Sequence, residues 1–179
     1  MRGFFGIGVE GIHKPQNVGS LARSAHAFGA SFFFTISPNT DIAAMKLTDT
    51  SGSFDHVPYY EYESVEKLDM PSGCQLVAVE LVEGAIELPS FRHPTRAAYI
   101  LGPEMGNVSP ELLAKCDHTI KIPMKFCINV GVAGAIVMYD RLISLGKFAP
   151  RPVRAGGPTE ELKPLIHGHR RMIGGNKPD

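Results

Sequence analysis

No apolar run in this sequence of 179 residues approaches the roughly 20 residues that a helix needs to cross a bilayer, so a membrane-spanning helix is excluded. Cysteine is scarce. Cys74, Cys116 and Cys127 are an odd number at irregular spacing, which argues against a disulfide framework and fits a reducing compartment. Net charge is missing too: 18 basic and 18 acidic side chains cancel, so no bulk field announces a nucleic-acid partner. The opening Met1-Arg2-Gly3-Phe4-Phe5-Gly6 carries one charge and enters a glycine-broken apolar stretch. That is not the pattern of a secretory leader, and the cytoplasm is the expected location. What is present is ordinary: 44% hydrophobic and 20% charged residues exclude wholesale disorder, collagen and coiled coil. A mass of 19.4 kDa suits one domain, or one domain with a tail, with enough chain for a real core.

The charge is unevenly spread. Residues 147–179 carry seven basic and three acidic side chains, a net +4, and the rest carry eleven and fifteen, a net −4. Pro150, Pro152, Gly156, Gly157 and Pro158 punctuate the start of that segment, so the expected division is a domain over 1–148 and a basic extension over 149–179. Leu162, Leu165 and Ile166 form its one apolar patch, suited to a docking helix. Within the domain, continuous apolar runs predict strands at 4–10, 31–37, 75–81, 97–101 and 118–122, with a short one at 57–60. Helical spacing predicts helices at 15–28, ending at Gly29, from Ser109 or Pro110, and at 130–145; the acidic stretch 61–69 suits a solvated helix. Strands alternating with helices give an α/β fold, a mostly parallel sheet covered by helices on both faces.

Several motifs fail on their surroundings. Gly6, Gly8 and Gly11 spell the dinucleotide fingerprint, yet no full strand fits before Gly6 and no acidic residue lies between Gly11 and Asp41. Glycines within a strand account for them better. Cys116 and His118 lack a partner pair at zinc spacing, and His167 with His169 is an incidental pair, so no metal is expected. Cys127 has no histidine placed beside it by the sequence and reads as a buried structural thiol.

Three stretches embed polar residues where apolar ones are expected. Asn17-Val18-Gly19-Ser20-Leu21-Ala22-Arg23 puts an arginine among small residues early in a helix, and the bland alternative is a surface arginine with Asn17 as helix cap. Leu101-Gly102-Pro103-Glu104-Met105-Gly106-Asn107 leaves the carboxyl end of a strand, where open α/β sheets bind ligands, although a plain glycine–proline turn fits as well. Ile122-Pro123-Met124-Lys125-Phe126-Cys127-Ile128-Asn129 precedes an apolar helix that Asn129 would cap.

In this order the three stretches resemble the motifs of the SPOUT superfamily, specifically the SpoU/TrmH-type RNA 2′-O-ribose methyltransferases. Asn17, Gly19 and Arg23, continued by Phe28-Gly29, match the first motif; Leu101, Gly102, Glu104 and Gly106 match the second; Ile122, Pro123, Met124 and Asn129 match the third. The resemblance spans about residues 3–146. Two departures stand out: Cys127 occupies the place of the family's serine, and only Lys125 and Phe126 separate it from Met124.

The resemblance implies a C-terminal deep trefoil knot, a homodimer, and S-adenosylmethionine held by Leu81, Leu101, Gly102, Gly106, Ile122, Pro123, Met124 and Ile128. It implies an RNA substrate, transfer RNA ahead of ribosomal RNA, with Arg23, Asn17, Glu104, Asn129 and Cys127 as the catalytic set. Arginine is too basic to accept the proton, so Arg23 is assigned orientation and charge stabilisation. The alternatives are a non-catalytic RNA-binding relative, suggested by Cys127 and the short loop, and a nucleotide-dependent oxidoreductase, resting on the N-terminal glycines alone.

Overall fold

β1 (Phe4–Glu10) alternates large residues with glycine, and that alternation sets the two faces of the sheet. In the computed structural model, which describes residues 3–149, 151–152 and 155–157 and the backbone of 166–167 and 170–171, Phe5, Ile7 and Val9 point to one core. Gly6 and Gly8 point to the other, where the rings of Phe32 and Phe34 lie across them. A Cβ on Gly6 would sit 2.1 Å from the Phe32 ring. The glycines of the false fingerprint are therefore strand glycines that admit two aromatic rings.

The chain continues through α1 (Pro15–Phe28), β2 (Phe32–Ile36), α2 (Ile42–Thr48), α3 (Ser53–His56), β3 (Tyr59–Tyr62), β4 (Gln75–Val79) and β5 (Ile86–Glu87). A single 3-10 turn then leads to β6 (Arg96–Leu101), α4 (Pro110–Lys115), β7 (His118–Lys121) and α5 (Val130–Leu145). The first seven strands form one sheet in the order β3-β2-β1-β6-β4-β7-β5, with every neighbouring pair parallel. On one face α1 and α5 pack over Phe5, Ile7, Val9, Phe33 and Tyr99; on the other, α4 packs over Phe34, Ile36, Ala98 and Ile100. Parallel strands buried on both faces read as continuous apolar runs, which is why β2 and β6 were legible.

Helix boundaries follow local chemistry. Gly29 adopts the left-handed conformation (φ 73°) that ends α1. Ser109 Oγ accepts the Leu112 N–H at 3.2 Å, with Pro110 in the first turn of α4. α5 is tied to the sheet by Arg141, which is 1% exposed and donates to the carbonyls of Pro94 and Thr95 and to the Tyr99 hydroxyl. His93 joins the same cluster, between Tyr99 (2.6 Å) and Asp140 (2.9 Å), and its burial outweighs Asp140 to lower its pKa.

Three expectations are corrected. Residues 61–69 form no helix: Glu61 and Tyr62 belong to β3 and the rest is turn. Residues 42–48 and 53–56 form the short helices α2 and α3, where the sequence shows only punctuated chain. Asn17 does not cap α1; Lys14 holds the cap position, and Asn17 lies buried inside the helix. The chain divides into two compact units, Met1–Leu145 and Gly146–Asp179. The second contains the antiparallel pair β8 (Ile166–His167) and β9 (Arg170–Arg171), so Ile166 is in a strand rather than a helix. Leu162, Leu165, Lys163 and His169 lie outside the described residues.

Candidate active site

β6 inserts between β1 and β4, where successive connections turn to opposite sides of the sheet. Beyond the carboxyl ends of strands at such a point, backbone N–H groups and loops converge on whatever binds there. Here the segments after β4, β6 and β7 enclose an open cleft, with Val130 and Ala133 of α5 against it. The lining is apolar with a few polar groups, the usual make-up of a small-molecule site. Of the expected cofactor residues, Leu81, Leu101, Gly102, Gly106, Ile122, Met124 and Ile128 line the cleft; Pro123 is exposed and lies off it.

The loop after β6 is held at its far end by two carboxylates that sequence reasoning missed. Glu80 accepts the Val108 N–H at 2.7 Å and the Leu81 N–H at 2.8 Å, while Glu10 accepts the Ser109 N–H at 2.8 Å. Their signal was an acidic residue closing an apolar strand, Glu10 at the end of β1 and Glu80 just after β4. The loop is tight: a Cβ on Gly102 would lie 2.9 Å from the Val108 nitrogen, and Gly106 has φ 141°, a conformation that side-chain-bearing residues rarely adopt.

At the lip of the cleft one hydrogen-bonded chain joins all three motifs. Glu104 accepts the His13 and Lys14 N–H groups at 3.1 Å each and the Asn17 side-chain amide at 2.8 Å. Asn17 Oδ1 in turn accepts the Asn129 amide at 2.8 Å. Asn129 Oδ1 accepts the Gly131 N–H at 2.8 Å, so this residue both caps α5 and completes the chain. Burial works to raise the Glu104 pKa, but the Asn17 amide and the backbone donors outweigh it, and the carboxyl stays below its ordinary value. Glu104 is thus an ionised acceptor, fixing the first turn of α1 against the cleft.

Cys127 departs from the bland reading, whereas Arg23 is, as that reading had it, at the surface. Cys127 is exposed and lines the cleft, which corrects the expectation of a buried thiol. Arg23 is exposed, outside the cleft lining, with its guanidinium against the Thr50 hydroxyl. Among the described residues no cluster of three or more His, Cys, Asp or Glu side chains is disposed to hold a metal.

A groove lies between α1 and α5, lined by Ser20, Ser24 and Phe28 on one side and by Val132, Ile136 and Tyr139 on the other. The last three recur at helical spacing and are 50%, 37% and 51% exposed, an unpartnered apolar stripe.

Residues 5–139 match the SpoU rRNA Methylase family. A tRNA (guanosine(18)-2′-O)-methyltransferase of Escherichia coli is 26% identical over 138 residues, covering 74% of this chain and 60% of the relative. The protein of the same description from Thermus thermophilus is 27% identical over 139 residues, covering 74% and 71%. The chain therefore spans 60% of the length of the Escherichia coli relative. Among solved structures, the SpoU methyltransferase AviRb from Streptomyces viridochromogenes, in complex with the cofactor AdoMet, superposes with a TM-score of 0.69 at 22% identity, covering 78% of this chain and 60% of that one.

Proposed function

The chain belongs to the SpoU rRNA methylase family, and on that premise we propose that it is an S-adenosylmethionine-dependent methyltransferase acting on a ribose 2′-hydroxyl of RNA, with transfer RNA the favoured substrate and ribosomal RNA the second. The observation that carries the reading is the chain Glu104–Asn17–Asn129, which links three motifs distant in sequence at the lip of an apolar cleft. The choice of transfer RNA leans on the printed activity of the Escherichia coli and Thermus thermophilus relatives.

The cleft fits the cofactor. Its floor is apolar, and Gly102 lines it without a side chain because a Cβ there would run into the Val108 nitrogen. Leu81, Leu101, Gly102, Gly106, Ile122, Met124 and Ile128 would hold the group, largely through backbone atoms and apolar contact. When bound, S-adenosylmethionine supplies an electrophilic methyl group, whose transfer to the 2′-oxygen releases one proton. The chain contributes position and charge. Glu104 holds the start of α1, Asn17 passes that constraint to Asn129, and Asn129 fixes the start of α5. Arg23 steadies the ribose and its neighbouring phosphate through charged N–H donors.

Because Arg23 lies outside its own chain's cleft, the reading includes a homodimer in which it serves the partner's cleft. The apolar stripe Val132, Ile136 and Tyr139, exposed beside the α1–α5 groove, supports this. The C-terminal knot belongs to the same reading. It is supported by the loop after β6 and the segment 122–129 lining one cleft, with α5 then packed on α1. The domain is taken as 1–148, with the basic extension 149–179 gripping RNA phosphates, and the location as the cytoplasm.

The test is calorimetric titration with S-adenosylmethionine, followed by labelled-methyl transfer to unmodified transfer RNA and to ribosomal RNA. Cofactor binding with label in transfer RNA is expected. Cofactor binding without transfer to either RNA would favour the non-catalytic reading and overturn this one.

A further inference from the structure

Arg23 is exposed, yet it is not left free. Three positions on one face of α1, Gly19, Arg23 and His26, stand at i, i+4 and i+7, and each meets a residue of the segment 48–56. At Gly19 the contact is backbone-close: a Cβ there would lie 2.5 Å from Thr48 Oγ1 and 2.9 Å from the Thr48 carbonyl oxygen. Thr48 is itself held, its single hydroxyl proton shared between the Pro15 carbonyl at 2.8 Å and the Met45 carbonyl at 2.7 Å. One turn along, an Arg23 guanidinium N–H donates to the Thr50 hydroxyl. Another turn along, the His26 ring stacks on His56, with centroids 4.6 Å apart and planes 22° from parallel.

The segment keeps its own shape. Asp49 accepts the Ser51 hydroxyl at 2.7 Å, the Phe54 N–H at 3.0 Å and the Ser51 N–H at 3.2 Å. The Ser51 hydroxyl is 2.7 Å from that of Ser53, which is fully buried. A turn so crosslinked presents Thr50 at a fixed height on α1. An exposed arginine otherwise samples many rotamers, and fixing one costs side-chain entropy.

We propose that the segment 48–56 is a cradle that sets the direction of the Arg23 guanidinium, with Thr50 as its positioning residue and Gly19 as the gap that lets the cradle dock. The first motif then has a division of labour: Asn17 fixes the helix to the cleft, Gly19 admits the cradle, and Arg23 is aimed by it. This rests on the reading that Arg23 serves the RNA substrate.

The experiment joins two readouts on the full chain. ¹⁵N relaxation of the Arg23 side-chain Nε–H reports guanidinium order. Transfer of labelled methyl from S-adenosylmethionine to unfractionated unmodified transfer RNA reports turnover. In Thr50→Val the Arg23 order parameter should fall and kcat should drop about 10- to 100-fold, with KM for the cofactor unchanged. Thr50→Ser should restore both. Asp49→Asn, which loosens the turn but keeps Thr50, should lower the order parameter as well. An unchanged Arg23 order parameter in Thr50→Val overturns the proposal, whatever happens to turnover. A wild-type chain that transfers no methyl would sink the proposed function instead, and the relaxation data would still decide the cradle.

Discussion

Replacing Glu104 with glutamine tests the centre of the site through stability, independently of any substrate. Glu104 Oε2 takes the His13 N–H, while Oε1 takes the Lys14 N–H and the Asn17 amide. Glutamine keeps one of these oxygens and puts an NH₂ group in place of the other. One set of donors then faces a donor, and the surviving bonds lose their charge assistance. A hydrogen bond to a charged group contributes about 1.5–3 kcal/mol against 0.5–1.5 for a neutral one, so the loss should be about 3 kcal/mol. For a chain of this size, at about 2–4 °C per kcal/mol, Tm should fall by roughly 6–12 °C. The pH dependence has a definite sign. Because the folded Glu104 carboxyl titrates below its ordinary value, its contribution is present in full above the unfolded carboxyl pKa of about 4.3 and is lost as pH falls towards the folded value. Melting curves of both proteins at pH 7 and across pH 5 to 3 are the assay. The gap should be full at pH 7 and narrow below about pH 4. Equal melting temperatures at pH 7, or a gap that does not change on acidification, would refute the view of Glu104 as an ionised clamp.

Arg23→Ala should abolish methyl transfer while leaving S-adenosylmethionine affinity within a few-fold, since Arg23 is outside the cleft; calorimetric titration checks this, and a collapse of affinity would contradict it. Cys127→Ser should keep or raise turnover and leave Tm unchanged, because the thiol is exposed in the cleft, as a labelled-methyl assay beside a melting curve would show. Gly6→Ala should destabilise by about 1–3 kcal/mol, measured by denaturant titration, because the new Cβ must displace the Phe32 ring. Removing 150–179 should weaken RNA binding and flatten its salt dependence by roughly 0.7–0.9 in slope per lost phosphate contact, read from affinities at several salt concentrations.

Legibility in the sequence tracked how local the determinants are. α1 was visible because Pro15, the spacing of Leu21, Ala22, Ala25 and Phe28, and Gly29 all speak within 15 residues. β2 and β6 were visible because strands buried on both faces need apolar residues at every position. α2 and α3 were missed because each is too short to show helical periodicity, and Asp41 and Gly52 at their starts read equally well as turn residues. The acidic stretch misled in the opposite sense: its first residues, Glu61 and Tyr62, pair with Thr35 and Ile36 of β2, where sheet pairing outweighed local propensity. The site was less legible still. Glu104 and Asn17 are 87 residues apart, and Asn129 and Asn17 are 112 apart, so only the family resemblance placed them together. Neither Glu10 nor Glu80 carried a motif, and their role emerged only when the strand ends were side by side.

The claim on which the account turns is that methyl groups reach a ribose oxygen of RNA. The direct measurement is incubation of the purified chain with S-adenosylmethionine carrying a deuterated methyl group and with RNA from cells lacking the protein, followed by nuclease digestion and nucleoside mass spectrometry. The account predicts one nucleoside of transfer RNA heavier by the labelled methyl, with the added mass on the ribose fragment and the base fragment unchanged. Label on the base fragment, or none in any RNA from a protein that binds the cofactor, would contradict it.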